Sequence, residues 1–123
     1  MGPGEERGVA SLVDLVVANP QGVGADAAAR LATGQFTGGR ELAQLHWVIG
    51  RAEREAGHLD LARHHLEEAL AVATTVGDAD LLIGVQSSLA FALARLGDLD
   101  GAEKMLSAAE ELAAPLERAR IMA

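Results

Sequence analysis

The chain has 123 residues, no cysteine and a net charge of −8, with 18 acidic against 10 basic residues. This balance disfavours nucleic-acid binding, because a phosphate backbone requires a positive protein surface. The lack of cysteine excludes disulfides and thiolate metal sites and fits the reducing cytoplasm. Half of the residues are hydrophobic but only 2% are aromatic, so the composition predicts one small, alanine- and leucine-rich helical domain.

The first part of the chain predicts a disordered segment and two short helices. Residues 1–8 are rich in Gly and Glu and lack apolar periodicity, so they are expected to be loose. The apolar stretch at residues 9–19 predicts a helix too short to span a membrane and poorly built as a signal peptide. Residues 20–24, with one Pro and two Gly, predict a turn before a short helix over 25–33. Its expected buried residues are Ala28, Leu31 and Ala32.

The rest of the chain contains an internal repeat. The segment GHLDLARHHLEEAL, which begins at Gly57, reappears 40 residues later as GDLDGAEKMLSAAE, which begins at Gly97. Its spacing of Gly, Ala and Leu also occurs at Gly22, Ala27 and Leu31, so residues 9–39 are interpreted as a degenerate first helix pair. Self-similarity at this period is typical of helical units that bury a core only by stacking.

Each unit is predicted to consist of two helices joined at a glycine. Apolar residues follow helical spacing over residues 40–56 and again over 79–96. Gly57 and Gly97 end these helices, because glycine adopts a left-handed conformation without steric cost. A second helix follows each glycine, and Asp60 is expected to cap the one in the first unit. The expected packing residues of that helix are Leu61, Ala62, Leu66, Ala69, Leu70 and Ala73.

These assignments divide the chain into successive units. The two full units occupy residues 40–76 and 77–114. Pro115 breaks the pattern and is suited to the first turn of a new helix, so residues 115–123 are expected to begin a further repeat. The next turn glycine would lie beyond residue 123, which predicts an array longer than the chain.

The two units resemble tetratricopeptide repeats, in which a Gly-Asp-type turn is followed by a small Ala, a large apolar residue and another Ala. The chain departs from the family in having Glu53 and Leu93 where a tyrosine is usual, in lacking the closing proline, and in its period, since about 34 residues is common. The matching residues are Ile49-Gly50, Gly57, Ala62, Leu66 and Ala69 in the first unit, and Leu89-Ala90, Gly97, Ala102, Leu106 and Ala109 in the second.

The resemblance implies an all-α, right-handed antiparallel helix-turn-helix solenoid that acts as a protein-interaction or scaffold module. The composition is similar to that of N-terminal arrays in bacterial proteins with a caspase-like CHAT domain, or in large transcriptional regulators. A cytoplasmic, bacterial, non-catalytic protein without membrane contact is therefore expected. The alternative is a capping or homo-oligomerisation segment of a larger effector or regulator. Its apolar end would include Leu116, Ile121 and Met122.

In the family, the first helix of each unit lines the concave face. Trp and Arg are enriched at binding hot spots, so this face is predicted to bind a protein or an acidic peptide, with Trp47 and Phe91 as anchors. The alternative is that both rings fill space between units while the arginines pair with Glu53 or Glu55. Helical spacing places the candidate residues on two neighbouring helices, namely Gln44, Trp47, Arg51 and Arg54 on one and Ser87, Phe91 and Arg95 on the other.

No catalytic group, cofactor or metal site is expected. His58, His64 and His65 lie near Glu67 and Glu68 in sequence, but adjacent histidines on a helix point in different directions and form no three-ligand set. The glycines match neither a phosphate-binding loop nor a dinucleotide-binding motif. No nucleophile, base and orienting group can be assembled from the sequence.

Overall fold

The computed structural model describes residues 8–122, so the expectation that residues 1–8 are loose lies outside the described part except at Gly8. All regular secondary structure in residues 8–122 is helical, as predicted. Each helix packs on its neighbour in sequence, and α3 also contacts α1 and α5. None of the helices in the described range has the length and apolarity to cross a bilayer. The helices are α1 (Val9–Leu15), α2 (Pro20–Thr33), α3 (Gly38–Glu55), α4 (Leu59–Val76), α5 (Ala79–Arg95) and α6 (Leu99–Met122).

The predicted turn at residues 20–24 is wrong, because α2 begins at Pro20. Asn19 caps this helix by accepting a hydrogen bond from the Gly22 amide at 3.3 Å, and proline suits the first helical position because no amide partner is needed there. The buried face of α2 is also shifted. It consists of Val23, Gly24 and Ala27, whereas Leu31 is half-buried and the predicted Ala28 and Ala32 are exposed.

The predicted turn glycines are confirmed, whereas the predicted cap is wrong. Gly57 and Gly97 have φ of 84° and 88°, which is the left-handed conformation that favours glycine. Asp60 lies inside the first turn of α4, and the cap position is His58, whose side chain makes no capping hydrogen bond. In the second unit Asp98 fills the equivalent position and accepts from the Gly101 amide at 2.9 Å.

Helix α6 runs through Pro115, although a helix end was predicted there. A proline in a helix interior removes one hydrogen bond to the carbonyl four residues earlier, which here belongs to Glu111. Glu111 and Pro115 are exposed, so water can satisfy the freed carbonyl. The alanines before the proline and the Glu, Arg and Ala after it favour continuation of the helix.

The core lies between the helices in contiguous buried clusters. One joins α1 and α2 to α3, and two more join α3 to α4, α5 and α6. Helices α3 and α4 approach closely at Gly50, where an added β-carbon would lie 2.6 Å from Leu66 Cγ. Leu66 is fully buried, whereas Leu61, predicted to pack, is 52% exposed. The largest fully buried side chains are Leu12, Leu45, Leu66, Val16, Val48 and Val85.

Candidate functional site

The seven residues predicted to bind a partner lie on two helices that contact each other, α3 and α5. We call these residues the α3–α5 surface. Those on α5 are exposed, and those on α3 are half-buried. The surface comprises Gln44, Trp47, Arg51 and Arg54 on α3 and Ser87, Phe91 and Arg95 on α5.

Trp47 is a packing residue within this surface. Its indole Nε1 donates a hydrogen bond to the Ser88 hydroxyl at 2.8 Å, and the side chain packs against two of the buried clusters. A β-carbon at Gly84 would clash with the ring, so glycine is required there. Because indole has a single donor, Trp47 offers no free N–H to a partner. The anchor role of Trp47 stays a prediction, and in the structure this half-buried side chain joins α3 to α5.

Phe91 has the opposite character, since its side chain lies on the surface. Phe91 is 58% exposed. The Arg54 guanidinium carbon lies 4.7 Å from the centroid of the ring, which is cation–π geometry. The Arg54 side chain is only 11% exposed, and its buried Nε has no hydrogen-bond partner within residues 8–122. The ring thus holds Arg54 in place without neutralising its charge.

The charge around Arg54 is predominantly positive. Burial lowers the pKa of Arg54. The positive charges of Arg51 and Arg95 lower this pKa further, whereas Glu55 raises it. The ion pair with Glu55 spans 3.7 Å, and the Glu55 side chain is 54% exposed, so water screens it strongly. An arginine remains charged under these conditions. The three arginines and the exposed ring thus present a positive, partly apolar patch on a chain of net charge −8.

The histidines that the sequence analysis considered have different partners. His58 contacts Glu53 on α3 at 2.9 Å. His65 pairs with His46 on α3, with 3.1 Å between their Nδ1 atoms. The role of His46 was not predicted, because its pairing with His65 depends on how α3 and α4 are aligned along their axes. Across the described residues, no three His, Asp or Glu side chains are grouped so as to hold a metal ion.

A surface depression of about 500 Å³ lies along α6. Within residues 8–122 its lining residues all belong to this helix, and they include Asp100, Glu103 and Glu111. Catalytic sites bring together groups from several elements, whereas this depression is one acidic helix face. It therefore provides no alternative to the α3–α5 surface.

No family model, curated protein sequence or solved structure matches the chain. Among the described residues, the α3–α5 surface is the strongest candidate for a functional site, since it combines an exposed ring, an immobilised arginine and two further arginines.

Proposed function

We propose that the chain is a non-catalytic protein-interaction module of tetratricopeptide type whose α3–α5 surface binds an acidic segment of a partner protein. The observation that carries this proposal is the position of Arg54, which is stacked on the exposed Phe91 and lies beside Arg51 and Arg95. Within residues 8–122, the weakly held Glu55 is the only carboxylate that acts on it. Burial of unneutralised positive charge is costly, and a partner carboxylate would relieve this cost.

The repeat itself supports the tetratricopeptide assignment. Gly57 and Gly97 occupy the same turn position and share the left-handed conformation. Small residues also lie at close helix approaches, as at Gly50 against Leu66. Helices α3 and α5 are the first helices of the two units and contact each other, which is the arrangement that presents a continuous binding surface in stacked repeats.

Binding would combine an apolar anchor with oriented charges. Phe91 would bury its exposed face against the partner, and Arg54, already immobilised on that ring, would lose little further side-chain entropy. Arg51 and Arg95 would orient the partner's carboxylates through bidentate hydrogen bonds. Because the rest of the chain is acidic, an acidic partner would be repelled elsewhere, which favours this docking position.

The test is binding of a fluorescein-labelled peptide of interspersed Glu and Gly, followed by fluorescence anisotropy, with a Gln–Gly peptide as the uncharged reference. The variant Arg51→Gln/Arg95→Gln removes two charges and leaves Arg54 on Phe91. Loss of two partly exposed ion pairs, each worth up to about 1 kcal/mol, is expected to weaken binding roughly tenfold. Binding should also weaken as ionic strength rises from about 0.01 M to about 0.15 M.

The matched control is Arg63→Gln/Arg118→Gln, which removes two exposed arginines from α4 and α6. This variant has the same net charge as the first and is expected to bind like the unmodified chain. Equal loss in both variants would show that only net charge matters, and equal binding of the Gln–Gly peptide would remove the role of carboxylates. Either result would contradict the proposal.

A second candidate function is self-association through α6, favoured by its exposed apolar side chains. Leu99 is 68% exposed, Leu106 49% and Ile121 81%. Leu116, also predicted to be at an apolar end, is half-buried, and the Met122 side chain lies outside the described part.

Sedimentation equilibrium should show a mass that rises with concentration, and Leu99→Gln/Leu106→Gln should abolish the rise. The control Val17→Gln, at a residue 68% exposed near α1, should preserve it; a constant monomer mass would reject self-association.

A further inference from the structure

His46 on α3 and His65 on α4 meet end to end across the interface of the first full unit. Their Nδ1 atoms are 3.1 Å apart, and their ring centroids are 5.3 Å apart. The centroid separation exceeds the nitrogen separation by about one ring diameter, so the two nitrogens lie near the line that joins the rings. This geometry suits one N–H···N hydrogen bond, whereas chelation of a metal ion would require the lone pairs to converge at a point off that line.

The hydrogen bond depends on the number of protons on the pair. A neutral imidazole carries one N–H donor and one acceptor nitrogen, so one Nδ1 can donate to the other. One added proton still leaves one acceptor and permits a charge-assisted hydrogen bond. With a proton on both Nδ1 atoms, two donors and two positive charges face each other, so the contact becomes repulsive.

The surroundings of the pair oppose its full protonation. The charged and titratable groups that act on it are Glu53 from α3 and His64 and Glu68 from α4, the only such groups within residues 8–122. Burial is the main cause that lowers the pKa of both histidines below the ordinary value of 6.5, and His64 lowers both further. The two carboxylates act in the opposite direction and do not reverse the shift.

We propose that His46 and His65 form a pH-sensitive clasp that holds α3 against α4 when at least one Nδ1 is unprotonated and releases the two helices when both are protonated. The second histidine pair on these helices, His64 with His65, cannot replace it. Those rings meet edge to face with centroids 5.3 Å apart, and both belong to α4, so they join no helices.

The direction of the pH effect follows from the lowered pKa values. Below the ordinary histidine pKa of 6.5, the unfolded chain takes up protons more readily than the folded chain. The contribution of the histidine pair to the free energy of unfolding is therefore fully present above pH 6.5. It is lost as the pH falls through the lower pKa values of the two histidines in the folded chain. Carboxylates, whose ordinary pKa values are about 4, contribute little while the pH stays above about 5.5.

The first test is urea denaturation of the full chain between about pH 8 and about pH 5.5, with the double variant His46→Asn/His65→Asn. Asparagine places a donor and an acceptor near the Nδ1 position and does not titrate. The unmodified chain is expected to lose stability as pH falls, and the double variant to lose less. The control is His64→Asn, at an exposed neighbour on α4, which has the same helix penalty as His65→Asn. It should retain most of the loss of stability at low pH. Equal pH dependence in all three proteins would overturn the proposal.

The second test needs no substitution and uses NMR of the imidazole nitrogens. The His46 and His65 signals should titrate with midpoints below those of the same residues in the urea-unfolded chain, and they should respond to each other's protonation. At neutral pH, one Nδ1 should be protonated and the other should not. Midpoints at or above those of the unfolded chain, or two independent titrations, would overturn the clasp even if a variant failed to fold.

Control of binding by the clasp rests on the proposed function, because α3 also carries Arg51 and Arg54. Binding of the Glu–Gly peptide is expected to weaken at low pH in the unmodified chain and to weaken less in His46→Asn/His65→Asn. Peptide binding that is absent at every pH would reject the proposed function, and the denaturation and NMR results would still decide on the clasp. Binding with the same pH dependence in both proteins would reject the link between the clasp and the surface.

Discussion

The two full repeat units share a sequence pattern but have different surroundings. Leu66 in α4 is fully buried, whereas its counterpart Leu106 in α6 is 49% exposed. Leu59 is half-buried, and its counterpart Leu99 is 68% exposed. The reason is that α4 packs against both α3 and α5, whereas among the helices of residues 8–122 α6 packs against α5 alone. A repeat motif therefore specifies a helical hairpin, but the neighbouring helices determine how much of its apolar surface is buried.

The largest effect expected from this difference is at the paired leucines. Leu66→Ala should lower the free energy of unfolding by about 2–5 kcal/mol, because it leaves a cavity between three helices. Leu106→Ala should cost only about 1 kcal/mol, because the side chain is already half in water. Urea denaturation followed by circular dichroism measures both. Equal losses would mean that the two units have equivalent surroundings.

A smaller effect is expected at the close approach of α3 and α4. Gly50→Ala would place a β-carbon 2.6 Å from Leu66 Cγ and 3.2 Å from the Ala62 carbonyl oxygen, so a loss of about 1–3 kcal/mol from overpacking is expected. The second unit tolerates Ala90 at the same position. In a double-mutant cycle, Gly50→Ala and Leu66→Ala together should cost less than the sum of their separate losses. Strict additivity would show that the two residues do not press against each other.

The smallest effect is expected at the helix caps. Asp98→Ala removes the acceptor of the Gly101 amide and should lower stability by about 1 kcal/mol. His58→Ala changes the equivalent position of the first unit, where no side-chain cap exists, and should cost only a few tenths of a kcal/mol from the loss of an exposed contact. Thermal unfolding of both variants provides the comparison. A larger loss for His58→Ala would show that the imidazole has a capping role.

The sequence was sufficient to predict the helical class, the first full helical pair, the start of both helices of the second pair and the left-handed glycines. These features depend on local properties, namely apolar periodicity and the absence of a side chain. The helix start at Pro20 was missed and a helix end was wrongly predicted at Pro115, because proline is compatible with both a helix start and an exposed helix interior. The exposure of Leu61 and Leu106 was also not predicted, because a repeat pattern does not specify which neighbouring helix packs against each apolar residue.

The candidate surface was predicted only in part. Helical spacing placed Phe91 and the arginines on neighbouring helices, because positions three or four residues apart share a face. The same spacing did not distinguish Trp47 from Phe91, since the role of each ring depends on what lies opposite. Gly84 and Ser88 accommodate the indole, and Arg54 covers one face of Phe91. The pairing of His46 with His65 likewise could not be predicted, because it depends on how α3 and α4 are aligned along their axes.

The position of Trp47 also gives the molecule a built-in optical reporter. The chain has one Trp and no Tyr, so its near-ultraviolet emission comes almost entirely from this indole. The ring lies between α3 and α5 and is hydrogen-bonded to Ser88. Its emission will therefore shift toward longer wavelengths when these two helices separate and water reaches the ring. Separation of α3 from α5 can thus be followed in the unlabelled chain, with the intrinsic fluorescence of a single residue.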